Sequence, residues 1–137
     1  MKNESIIGGI VVGGQPDAAD IASGRFSTVI NCRPPDEEGN VTGELVRGTG
    51  ITYANVPFTA DTISKEHIRQ VRAVLDDAHG TTLVHCQGGT RAAVAVAVAL
   101  AERTGQGAKD VRAAVEGAGF DIKGRPYERF IEDYFKK

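Results

Sequence analysis

His85-Cys86-Gln87-Gly88-Gly89-Thr90-Arg91 places a nucleophile, two glycines and a permanent cation in one short run. The run follows the apolar residues Thr82-Leu83-Val84 and leads into a helical pattern from Ala92 to Glu102. A cysteine at the end of a buried strand, followed by a glycine turn into a helix, sits beneath backbone N–H groups that converge on one small bowl. The positive potential of such a bowl stabilises a thiolate. Arg91 can grip two oxygens of a tetrahedral anion with its planar fork. An anion held over a thiolate is poised for attack by sulfur, so the chemistry expected here is nucleophilic catalysis on an oxyanion.

The rest of the chain has to carry that loop at the end of a strand. Ile10-Val11-Val12 reads as a short strand closed by Gly13-Gly14-Gln15-Pro16, and Asp17 can cap a short helix through Ser23 with Gly24 as its stop. Phe26 to Cys32 is a strand rich in β-branched residues, ended by Arg33-Pro34-Pro35. A polar loop over Asp36 to Asn40 leads to a short helix from Val41 to Arg47, and Ile51 to Phe58 is the next strand. Ser64, Glu66 and the apolar set Ile68, Val71, Val74 and Leu75 make an amphipathic helix ending near Gly80. After the strand Thr81 to His85, the helix from Arg91 is apolar on every face, which predicts burial on most sides. Asp110 to Gly117 forms a further helix, and Pro126 opens a last one carrying Phe130, Ile131, Tyr134 and Phe135. Strands alternating with helices predict an α/β three-layer sandwich, a small and mostly parallel sheet flanked by helices. Ligands of such sheets sit at the carboxyl ends of the strands, where Cys86 falls.

Composition narrows the classes. A chain of 137 residues has the size of one catalytic domain, with 41% hydrophobic and 25% charged residues. The formal net charge of −2 offers no basic surface for nucleic acid or an anionic membrane. The longest apolar run, Ala92 to Ala101, is too short to span a bilayer, and Met1-Lys2-Asn3-Glu4 does not read as a signal peptide. Two cysteines argue for a reducing, cytoplasmic setting rather than a disulfide scaffold. No His/Cys/Asp group has metal-ligand spacing, so neither a metal nor another cofactor is expected. His67 and His79 are expected to be solvated.

The Cys86 loop, the segment Tyr53-Ala54-Asn55-Val56-Pro57-Phe58-Thr59-Ala60-Asp61, Gly14-Gln15-Pro16 and Val29-Ile30-Asn31-Cys32-Arg33-Pro34 occur in that order from about Ile10 onward. Together they resemble the cysteine-dependent protein tyrosine phosphatase superfamily, dual-specificity type. The resemblance is to its bacterial branch, the phosphatase-like domain also found fused to β-lactamase-like hydrolases. It implies a dual-specificity-phosphatase-like fold and a phosphorylated protein or small phosphomonoester as substrate. Cys86 would then attack phosphorus to form a phosphocysteine, with Gln87, Gly88, Gly89, Thr90 and Arg91 binding the phosphate. Asp61 would protonate the leaving oxygen and then activate water, Thr90 would hydrogen-bond the sulfur, and His85 would support the loop from behind. An acid at Asp61 acting with ionised Cys86 implies an activity maximum at roughly pH 5–6.5. Cys32 stands where some lipid-directed relatives carry a second cysteine, which makes it either a redox partner of Cys86 or a small core residue.

The loop departs from the usual phosphatase pattern, because four residues rather than five separate Cys86 from Arg91. Rhodanese-like sulfurtransferases carry shorter loops, so a Cys86 persulfide is the alternative chemistry. A module that only binds phosphorylated partners is a third reading, disfavoured because Cys86 and Asp61 are both present. The loops Pro34 to Asn40 and Asp121 to Arg125 are expected to shape the pocket, with Asp121, Lys123 and Arg125 as rim candidates. No aromatic residue for stacking on a phosphotyrosine can be placed from sequence, and the oligomeric state stays open.

Overall fold

A computed structural model describes residues 1–136 of the chain. Five strands form one sheet: β1 (Ser5–Ile7), β2 (Ile10–Gly13), β3 (Thr28–Asn31), β4 (Thr52–Asn55) and β5 (Thr82–His85). Their spatial order is β1-β2-β5-β3-β4, with β1 antiparallel to β2 and the other neighbours parallel. β5 is therefore the central strand, flanked by β2 and β3, and its carboxyl end presents Cys86 in the middle of the sheet edge.

Strict alternation along the strands divides the core. Val11, Val29 and Leu83 face a small cluster with Ile21, Phe26 and Val46, beneath α1 (Ala18–Ala22) and α2 (Thr42–Leu45). Val12, Ile30 and Val84 face the larger cluster under α3 (Lys65–Asp77), α4 (Thr90–Thr104), α5 (Ala108–Gly117) and α6 (Pro126–Tyr134). These are the three layers of the expected sandwich. The alternating valines and alanines of α4 are all buried, because the helix is packed against β2 and β5 and between α3 and α5. Its small side chains let it lie close to the sheet and aim its amino end at Cys86.

The strands expected over Phe26 to Cys32 and Ile51 to Phe58 are shorter in their regular part, β3 and β4. Single backbone bonds carry the pairing further: Cys32 N to His85 O at 2.9 Å and Phe58 N to Cys32 O at 3.2 Å. β1 escapes the sequence pattern because it has three residues and an outward Ile6 that is 65% exposed. His67 departs from the expected solvated state. Its Nδ1 accepts from Ser64 N at 3.1 Å, and its ring lies 5.1 Å from that of Phe58. His79 is exposed.

Candidate active site

Cys86 follows directly on β5 and is 1% exposed, at the floor of a depression of about 340 Å³. The depression is lined by Lys2, Cys86, Gln87, Gly88, Thr90, Arg91, Arg125 and Tyr127. The loop is held open from outside. Gln15 N donates to Gln87 O at 3.0 Å, and Asn3 Nδ2 donates to Gly88 O at 2.8 Å. In a trans peptide the N–H opposes the C=O, so tying those carbonyls outward turns the amides of Gly88 and Gly89 inward. Gly89 N–H indeed points at Cys86 Sγ, 3.1 Å away. Thr90, Arg91 and Ala92 open α4, so their N–H groups lack intrahelical acceptors and add to the positive bowl.

Two glycines are required by this arrangement. Gly89 has φ +106, and a Cβ there would lie 2.5 Å from Phe120 Cε1. Gly14 lies against the loop so closely that a Cβ would stand 2.5 Å from Gln87 O. That contact is the physical content of the Gly14-Gln15-Pro16 segment, whose backbone braces the loop.

Arg91 is held by a residue the sequence did not single out. Glu37 accepts from Arg91 Nη1 at 3.1 Å and Nη2 at 2.9 Å, and Phe58 O accepts from Nη1 at 3.2 Å. Glu37 does not line the depression, whereas Arg91 does. End-on pairing with Glu37 and the Phe58 carbonyl leaves the Nε–Nη2 edge of the guanidinium, which is itself a two-donor fork. Glu37 also accepts from Nε of Arg33 at 2.7 Å. Arg91 and then Arg33 hold the Glu37 carboxyl below the usual carboxylate range. Partial burial works against the Arg91 charge, and the Glu37 hydrogen bond together with the charges of Cys86 and Glu37 more than offsets it.

Beneath the loop runs a buried polar chain. Arg33, 1% exposed, donates through Nη1 to Gln15 Oε1 at 2.8 Å and through Nη2 to Glu38 O. Gln15 Nε2 donates to Thr42 Oγ1 at 2.7 Å, and Thr42 Oγ1 lies 2.9 Å from His85 Nε2. The Thr42 proton is therefore free to donate to Nε2, which leaves the other ring nitrogen protonated. His85 Nδ1 accordingly donates to Cys86 O at 3.1 Å. Burial, aided by Arg33 and Arg91, pushes the imidazole down to about 4, so His85 is a neutral support for the loop.

The other residues expected at the site are distributed as follows. Thr90 lines the depression. Cys32 is fully buried at the end of β3, beside Cys86 across the β3–β5 pairing, and burial followed by the neighbouring Cys86 raises its thiol. Asp61 is exposed on the turn after Thr59 and does not line the depression, although its loop leaves the site at Phe58. Of the rim candidates, Arg125 borders Cys86, while Asp121 and Lys123 line a separate hollow with Arg112 and Glu116. Tyr127, which the sequence did not single out, also lines the depression. It is buried against the depression, and burial followed by Cys86 raises its phenol to about 12. Lys2 was likewise missed, since a lysine near a chain end carries no periodic signal. Among the described residues, no group of three or more His, Cys, Asp or Glu side chains could hold a metal ion.

The fold sets a cysteine loop at the centre of a mostly parallel α/β sheet, an architecture shared with solved phosphatase structures. SIW14 from S. cerevisiae, a PP-IP phosphatase solved in complex with citrate, superposes with a TM-score of 0.74 at 15% identity, over 96% of this chain and 84% of that one. P. aeruginosa TpbA in complex with pTyr gives 0.69 at 16% identity, over 88% of this chain and 75% of that one. Residues 6–104 match the family described as beta-lactamase hydrolase-like protein, phosphatase-like domain, and the chain belongs to that family. A curated relative, the beta-lactamase hydrolase-like protein of Agrobacterium fabrum, is 34% identical over 100 residues, 67% of this chain. The aligned region spans only 23% of that relative's length.

Proposed function

We propose that this chain is one catalytic unit that hydrolyses phosphate monoesters through a phosphocysteine on Cys86, working in a reducing compartment such as the cytoplasm. The observation that carries the reading is the placement of Cys86 Sγ beneath inward amides, with the free edge of Arg91 on the same depression. Sulfur attacks phosphorus, and the leaving oxygen departs with a proton from Asp61. The Asp61 carboxylate then takes a proton from water, whose oxygen attacks phosphorus and releases inorganic phosphate and the thiolate. Gln87, Gly88, Gly89 and Thr90 contribute amides to the phosphoryl oxygens, and Arg91 balances their charge in the transition state. Thr90 stabilises the sulfur as it leaves, and His85 keeps the Cys86 carbonyl turned away. TpbA bound to pTyr offers a precedent for an aryl phosphate on this fold. The substrate is a phosphorylated protein or a small monoester, with no nucleic acid or membrane required, and among the described residues no helix is long and apolar enough to cross a bilayer.

Two observations favour sulfur transfer as the second reading. Only four residues separate Cys86 from Arg91, and among the described residues no carboxyl group lines the depression. In that chemistry Sγ takes the outer sulfur of a donor such as thiosulfate, sulfite leaves, and the persulfide passes its sulfur to an acceptor without a general acid. Purified protein with p-nitrophenyl phosphate separates the readings. Turnover abolished by Cys86→Ser and strongly reduced by Asp61→Asn supports the phosphatase. A folded protein inert towards that ester, yet forming thiocyanate from thiosulfate and cyanide, overturns it in favour of sulfur transfer.

A further inference from the structure

The chain as a whole carries a formal charge of −2, yet among the described residues the depression over Cys86 is lined by three cations, Lys2, Arg91 and Arg125, and by no carboxylate. Arg91 already has a counter-ion in Glu37. Lys2 and Arg125 have none: among the described residues, neither has a carboxylate oxygen within ion-pair distance. Both side chains are exposed, so solvent alone balances them.

These two cations are nevertheless placed by the fold. The guanidinium of Arg125 lies over the ring of Tyr127, 5.1 Å from its centroid, at the start of α6. Arg125 N also donates to Ile122 O at 3.0 Å. Lys2 is fixed from the other end of the chain, its carbonyl accepting from Gly14 N at 2.7 Å. Its neighbour Asn3 donates to the loop carbonyl of Gly88. Two remote segments thus deliver unpaired positive charge to the rim of a bowl whose amides and Arg91 already suffice for one oxyanion. Like charges converging without a counter-ion repel, and an anion seated between them removes that cost.

We propose that the substrate carries a second anionic group, a phosphate or a carboxylate, which Lys2 and Arg125 bind while the reacting group sits over Cys86. The proposal rests on the anion-binding part of the preceding reading and narrows it from phosphate esters in general to small polyanionic ones. A depression of about 340 Å³ has room for a reacting group and one such neighbour.

Three matched probes isolate the second charge: phenyl phosphate, 4-carboxyphenyl phosphate and 1,4-phenylene bisphosphate. Each is assayed for turnover by the wild-type protein and for binding to Cys86→Ser by calorimetry. Two exposed ion pairs are worth about tenfold together, so kcat/KM and affinity should favour the doubly charged probes by about that factor. Which probe leads tells a phosphate-directed rim from a carboxylate-directed one. The preference should collapse towards unity in the Lys2→Ala/Arg125→Ala double variant and shrink in high salt. It should persist in Lys109→Ala, which removes a charge elsewhere. Equal handling of all three probes by wild-type protein overturns the proposal, as does a preference that survives the double variant. Absence of turnover with the binding preference intact refutes the hydrolytic reading and keeps the second-anion site.

Discussion

Acidification from pH 7 to 4 should cost this fold about 3 kcal/mol through His85 alone. The side chain is fully buried, and its imidazole titrates at about 4 instead of the ordinary 6.5, chiefly because burial disfavours the cation. The hydrogen bonds point the same way. Thr42 Oγ1 receives Gln15 Nε2 and faces His85 Nε2, so a proton added at Nε2 would meet a hydroxyl oriented as a donor. Between pH 6.5 and 4 the unfolded chain binds the His85 proton and the folded one does not. Stability therefore falls as pH falls through that window, is fully present above it, and levels off below. The assay is urea unfolding of wild-type protein and His85→Gln at closely spaced pH values from 7.5 to 4. Carboxylates such as Glu37 and Glu102, which are also held low, lose stability on acidification in both proteins and cancel in the difference. The wild-type advantage should shrink by about 3 kcal/mol across the window. Parallel curves would refute the reasoning, because they would mean that His85 already carries its proton when folded or exchanges it without cost.

Two further outcomes follow from the same geometry. Glu37→Gln should weaken inhibition by inorganic phosphate by about tenfold, the loss expected when a charge-assisted pair no longer fixes Arg91; Glu37→Asp should restore part of it, and unchanged inhibition in both variants would show that Arg91 needs no such partner. If Cys32 and Cys86 pair under peroxide, two thiols give up two hydrogens, the peroxide leaves as water, and intact mass falls by that amount; either cysteine-to-serine change should abolish the loss, and oxygen addition at Cys86 in the wild type instead would reject the pairing.

The Cys86 loop and the α/β alternation are legible from the sequence because both are written in short range. A strand, a glycine turn and a helix are consecutive, and the period of apolar residues changes from two to three or four between elements. The same locality explains why α4 could be read as buried before its neighbours were known: an apolar helix with no polar face has no solvated side. β1 had no such signature, since its three residues become a strand only by pairing with Val12, Val11 and Ile10.

The site beyond the loop was decided by tertiary structure. Glu37 reads as one acid in a polar loop, and its grip on Arg91 spans 54 positions, a relation no local spacing encodes. Lys2, Arg125 and Tyr127 meet Cys86 because β5 is central, the chain start is tied to Gly14, and α6 begins beside the loop. Asp61 illustrates the converse, for the sequence pattern points to it while its side chain stands exposed outside the depression. Propensity and hydrophobic period follow from each residue's own backbone and side chain, so the elements other than β1, and the candidate cysteine loop among them, are legible in the sequence alone. Charge pairing and pocket shape depend on which surfaces the packed core brings together, and only the folded chain supplies that.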